Sequence, residues 1–131
     1  MKVLDATFLI DYLDGVEATK GFYEANGAES ERWVMPVPTY AEALVGEGNL
    51  PDGNVADARA ALSWGEKYAV DERTAVTAGE IADEIEPGGP YLDGLDALIA
   101  AVGRELGASV VSGDSDLTHE ETKKVVDVEE Y

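Results

Sequence analysis

Four carboxylates in this sequence stand where short apolar runs end or where a helical repeat begins. Asp5 follows Val3-Leu4, and Glu42 comes shortly after Trp33-Val34-Met35-Pro36-Val37. Asp96 heads an apolar helical repeat, and Asp114 follows Ser109-Val110-Val111-Ser112-Gly113. If the apolar runs are strands of one parallel sheet, the residues after them collect at one rim, where open α/β sheets bind ligands. Carboxylates gathered there repel one another unless a cation joins them. The chain has no cysteine and a single histidine, so the donor set is oxygen. That suits Mg²⁺ or Mn²⁺ and argues against zinc. Such an ion lowers the pKa of a bound water and neutralises a phosphodiester during in-line displacement. The implied reaction is phosphoryl transfer to water.

Each acid also has a structural alternative. Asp5 could cap the helix that comes after it, and Thr7 could hold its carboxylate or take the cap itself. Thr39-Tyr40-Ala41-Glu42 has the form of a capping box, in which Thr39 and Glu42 satisfy the first helical N–H groups. Asp93 can cap the helix containing Asp96, where acids also suit the helix dipole. Against that, Asp96-Ala97-Leu98-Ile99-Ala100-Ala101 sets one carboxylate in a small, apolar, closely packed segment. Gly113-Asp114-Ser115-Asp116 has ordinary turn composition. Asp114 is nearer the strand, and Asp116 could assist or replace it as a metal ligand. His119, in the polar stretch Thr118-His119-Glu120-Glu121, receives no role.

The elements that must position these acids can be read from periodicity. A short strand ends near Asp5, and a helix runs to Leu13, stopped by Asp14-Gly15. Next come a helix from Val16 to Ala25 and a strand over Trp33–Val37. Thr39 opens a helix carrying Ala41, Leu44 and Val45, expected to break at Gly46 and Gly48, with a loop over 49–54. Helical patterns span Val55–Trp64 and Thr74–Ile85, separated by a candidate strand at Tyr68-Ala69-Val70. After the break at Pro87-Gly88-Gly89-Pro90, Leu95, Leu98, Ile99, Val102 and Leu106 recur at three- and four-residue steps. Ser109–Ser112 and Val125–Val128 complete the strands. Strands alternating with helices predict a three-layer α/β/α sandwich around a parallel sheet of about five strands.

Length and composition bound the reading. At 131 residues the chain suits one domain, 1–131. No apolar run approaches the roughly 20 residues of a membrane-spanning helix. Met1-Lys2-Val3-Leu4-Asp5 reaches an aspartate before any stretch long enough for a secretion signal, so a cytoplasmic protein is expected. Charge is the abnormal quantity: 28 Asp and Glu against 9 Lys and Arg give −19. A chain this acidic repels itself and other polyanions in dilute buffer. Concentrated salt removes that penalty, because the Debye length falls to about 3 Å at 1 M. The expectation is a halophilic source.

The residues resemble the PIN-domain nucleases, and within them the VapC toxins. The resemblance rests on Leu4-Asp5-Ala6-Thr7-Phe8-Leu9-Ile10-Asp11-Tyr12-Leu13, on Pro38-Thr39-Tyr40-Ala41-Glu42, and on the block from Asp96-Ala97-Leu98-Ile99-Ala100-Ala101 to Val110-Val111-Ser112-Gly113-Asp114-Ser115-Asp116. It implies a five-stranded parallel sheet between helices and a metal site at Asp5, Glu42, Asp96 and Asp114. It also implies endonucleolytic cleavage of RNA, a homodimer, and a cognate VapB-like antitoxin whose tail enters the active-site groove. Two departures stand out. Leu117 and Thr118 come after Asp116 where the family usually places an aromatic residue. Basic residues are few and scattered, among them Arg73, Arg104, Lys123 and Lys124.

Other readings of the same residues are an RNA-processing nuclease without an antitoxin and a non-catalytic halophilic binding module. A phosphoacceptor receiver domain fits less well. Its late strand would end in lysine, where this chain has Ser112-Gly113-Asp114.

Overall fold

In the computed structural model, which describes residues 1–131, five short strands alternate with seven helices. They are β1 (Lys2–Leu4), α1 (Ala6–Leu13), α2 (Glu17–Ala25), β2 (Trp33–Pro36), α3 (Val37–Asn49), α4 (Val55–Ala61), β3 (Glu66–Tyr68), α5 (Glu72–Glu84), α6 (Gly94–Leu106), β4 (Ser109–Val111), α7 (Glu120–Lys123) and β5 (Val128–Glu129). The strand order is β3-β2-β1-β4-β5, and every pairing is parallel. β1 therefore lies between β2 and β4, with Lys2 opposite both Trp33 and Ser109. The expected three-layer α/β architecture is the observed one.

Side-chain alternation along the strands divides the core in two. Val3, Val34, Val110 and Val128 face Ala78 and Ile81 of α5 and the Ala97–Val102 stretch of α6. Leu4, Trp33, Met35 and Val111 face Phe8 and Leu9 of α1, Ala43 of α3 and Leu62. α6 lies especially close to the sheet at Gly103, where a methyl group would come within 2.7 Å of Val110 Cγ2. This approach seats the helix that carries Asp96 against the strand that leads to Asp114. No helix is long and apolar enough to cross a membrane.

Several boundaries differ from expectation. α3 begins at Val37 with Pro38 in its first turn, where a missing N–H costs nothing. It then continues through Gly46 and Gly48 to Asn49. Packing of its inner face outweighs the roughly 1 kcal/mol that each glycine costs a helix. β3 is displaced from Tyr68–Val70 to Glu66–Tyr68, in register with Val34–Pro36. β5 is confined to Val128–Glu129, while Val126 is buried just ahead of it.

Candidate metal centre

The rim is built from residues at the carboxyl ends of β1 and β4 and at the start of α6. Asp5 occupies the residue before α1, yet its side chain makes no helix-capping hydrogen bond. Its Oδ2 accepts instead from Thr7 Oγ1 at 2.9 Å and from Ser112 Oγ at 2.7 Å. Its backbone N–H donates to the Val111 carbonyl at 3.0 Å, tying it to the end of β4. The residue is 2% exposed. A carboxylate buried this deeply needs such donors, because an unpartnered one would be strongly disfavoured. The capping alternative for Asp5 is thereby removed.

The capping box at Thr39 and Glu42 is absent as well. α3 starts two residues before Thr39, whose hydroxyl donates to the Pro36 carbonyl at 2.8 Å. Glu42, left without a cap to make, sits exposed on α3. Partial desolvation and the charges of Asp5, Asp93 and Asp114 raise its pKa.

Asp93 does cap α6, its Oδ1 accepting the Asp96 N–H at 2.8 Å. Asp96, half-buried in the first turn of α6, is pushed up to about 7 by desolvation and by Asp114, Asp93, Asp5 and Asp116. Asp114 is organised by the loop after β4. Its Oδ2 accepts the N–H groups of Asp116 at 2.9 Å and Leu117 at 3.0 Å, while its own N–H donates to Ser112 Oγ at 2.9 Å. Leu117 is fully buried, which anchors the far end of the loop.

One carboxylate oxygen each from Asp96, Asp114 and Asp116 lies within 4.8 Å of the others. Oxygens about 2.1 Å from one Mg²⁺ lie at most about 4.2 Å apart, so a small contraction would seat an ion among them. The donor set is all carboxylate oxygen, as a hard divalent ion requires. Of the acids expected to form the site, Asp96 and Asp114 are brought together, and Asp116 joins them as a third member of equal standing. Asp5 is linked to this group through Ser112 and Glu42 through its charge, and neither belongs to the tight trio. His119 caps α7, its Nδ1 accepting the Glu121 N–H at 3.0 Å.

Sequence reasoning missed Ser112. It is fully buried, and one hydroxyl serves both Asp5 and the backbone of Asp114. The available signal was a lone hydroxyl ending the apolar run Val110-Val111, directly before Gly113.

A PIN domain family model matches residues 2–123. Among solved structures, FitAcB from Neisseria gonorrhoeae is 21% identical with a TM-score of 0.78, covering 98% of this chain and 96% of its own. VapBC2 from Rickettsia felis, bound to a DNA fragment from its promoter, gives 16% identity and a TM-score of 0.77, covering 99% and 98%. A toxin–antitoxin complex from Klebsiella pneumoniae gives 20% and 0.76, covering 92% of each chain. No curated protein sequence matches this chain. The structural likenesses agree with the sheet order and the layering, and the family match spans all of the rim acids: the chain belongs to the PIN domain family.

Proposed function

We propose that this protein is a Mg²⁺- or Mn²⁺-dependent endoribonuclease, the toxin of a pair completed by a VapB-like antitoxin, with residues 1–131 acting as one nuclease domain in the cytoplasm and as a homodimer. The observation that carries the proposal is the approach of Asp96, Asp114 and Asp116 to one another beside Asp5, which Ser112 ties to the same loop. The antitoxin reading draws on the toxin–antitoxin complexes that share the fold. RNA as substrate draws on the family and on the phosphodiester chemistry that such a rim suits.

Asp96, Asp114 and Asp116 would hold the ion, with Asp5 close behind. A bound divalent ion supplies charge neutralisation at the phosphodiester and a more acidic water. Asp5, held by the hydroxyls of Thr7 and Ser112, would fix the geometry of the rim from behind. Glu42 makes no hydrogen bond through its side chain, and its raised pKa suits it to take the proton of the attacking water at a carboxylate oxygen.

The test is cleavage of a structured RNA by purified protein in molar salt with Mg²⁺ or Mn²⁺, followed by chelation. Activity that survives in Asp5→Asn and Asp96→Asn at the wild-type level would sink the assignment. An RNA-processing nuclease without an antitoxin is separated from a toxin by the neighbouring reading frame: a short DNA-binding protein is expected there for a toxin. A non-catalytic binding module would show only weak Mg²⁺ binding, indifferent to these substitutions.

A further inference from the structure

Beside the acid rim lies a half-buried polar pair outside the trio of converging acids. Tyr131 packs in the α1 side of the core, edge-on to Phe8 with 5.0 Å between ring centroids. Its hydroxyl donates to Asp11 Oδ2 at 2.6 Å. Burial and the Asp11 carboxylate raise the hydroxyl's pKa, so the proton stays on the tyrosine.

Asp11 stands one turn beyond Thr7 on α1, and residues four apart share a helix face. Gly113 faces the same hydroxyl: a methyl group on its Cα would lie 3.0 Å from the Tyr131 oxygen and 3.3 Å from Cζ. The tyrosine is thus pressed against the backbone that opens the Asp114 loop. On its other side, the Gly113 N–H donates to Thr7 Oγ1 at 2.9 Å, and Thr7 donates onward to Asp5 at 2.9 Å. A phenylalanine would fill the same space beside Phe8. The hydroxyl adds a tether to α1 at the level of Gly113.

We propose that Tyr131 and Asp11 are a positioning pair: the Tyr131 hydroxyl, anchored on Asp11, holds the Gly113 backbone against Thr7 and so sets the spacing between Asp5 on one side and Asp114 and Asp116 on the other. The proposal rests on the metal-site reading of the rim. Neither residue is one of the three acids whose oxygens converge. Groups that brace metal ligands from behind usually change metal affinity or activity by about 10- to 100-fold when removed.

The experiment is Mn²⁺ titration calorimetry in molar salt on the full chain, alongside thermal melting and steady-state RNA cleavage. Tyr131→Phe is expected to fold, to bind Mn²⁺ about tenfold more weakly, and to lose kcat by a similar factor with KM for RNA unchanged. Asp11→Ala, which removes the anchor and leaves the ring, should reproduce these effects and stands in if Tyr131→Phe does not fold. Wild-type Mn²⁺ affinity in a folded variant overturns the proposal, even if the melting temperature falls, because that is the signature of packing alone. If the wild-type protein itself binds no Mn²⁺, the metal-site reading fails, and the positioning role falls with it.

Discussion

Ser112 donates its hydroxyl to Asp5 at 2.7 Å across a separation of 107 positions, and the same oxygen accepts the N–H of Asp114. One small polar atom pair therefore joins the acid after β1 to the loop after β4. Ser112→Ala is expected to destabilise the fold by about 1–3 kcal/mol, because a buried carboxylate loses one of its two donors. Denaturant unfolding in molar salt measures this. Mn²⁺ affinity in the same variant should fall by about tenfold.

The rim separates two tasks that substitution can distinguish. Asp116→Asn should weaken Mn²⁺ binding by about 10- to 100-fold, since Asp116 is one of three acids whose oxygens lie within 4.8 Å. Glu42→Gln should leave Mn²⁺ binding near wild type while lowering kcat by about 100-fold, the usual contribution of a positioned proton acceptor. Calorimetry and single-turnover cleavage, run on both variants, test the division of labour. Equal metal affinity in wild type and Asp116→Asn would contradict it.

Metal-free protein should lose stability as pH rises. Asp96 has a folded-state pKa of about 7 against an ordinary 3.8, so between those values the native state binds more protons than the unfolded chain. Stability then falls as pH climbs through that window, the reverse of the usual salt-bridged carboxylate. Glu42 shifts in the same direction. With chelator present, the melting temperature should be higher at about pH 5 than at about pH 8, and Asp96→Asn should flatten the slope. Adding Mn²⁺ should reverse the trend, because binding displaces the proton from Asp96, and affinity should weaken as pH drops below about 7.

Strands with strong apolar signals were legible in the sequence. Val3-Leu4, Trp33–Met35 and Ser109–Val111 sit at or beside the centre of the sheet and are buried throughout or nearly so, and they fixed the parallel architecture. β3 was not legible where it lies. As an edge strand with Glu66 and Lys67 exposed, it has no hydrophobic pattern, and its position is set by pairing with Val34–Pro36. The capping box that was the structural alternative for Thr39 and Glu42 occurs instead at Asp71 and Thr74, where both reciprocal hydrogen bonds form. Composition alone cannot separate these two cases, because the start of α3 depends on Pro36 ending a buried strand. For the site, Asp5, Asp96 and Asp114 could be found from strand ends and apolar context. The standing of Asp116 and Ser112 depends on how one loop turns back on itself through hydrogen bonds to Asp114 Oδ2 and to Ser112 Oγ.

Low salt should weaken the fold as a whole. Six ion pairs engage only six of the 28 carboxylates, a charge of −19 remains after every Lys and Arg is counted, and pairs such as Arg32–Glu66 are exposed and contribute little. Reducing salt from about 2 M to about 0.1 M lengthens the Debye screening distance to about 10 Å, so carboxylates on neighbouring helices begin to repel. The melting temperature should drop steadily along this series. A protein equally stable at both ends would show that the acidic surface is not an adaptation to salt.

The middle position of β1 has a consequence for synthesis. β1 precedes every other strand, but it is hydrogen-bonded on one side to β4, which comes more than a hundred positions later. A ribosome that has delivered α1, β2 and even α5 has produced a polyanion whose acids remain strung apart, with no Asp114 loop to gather them and no Ser112 hydroxyl to tie Asp5 to it. The rim acids come together only when Leu117 has emerged to close the Asp114 loop. On the proposed function, a growing chain would therefore stay inert towards the RNA that surrounds it.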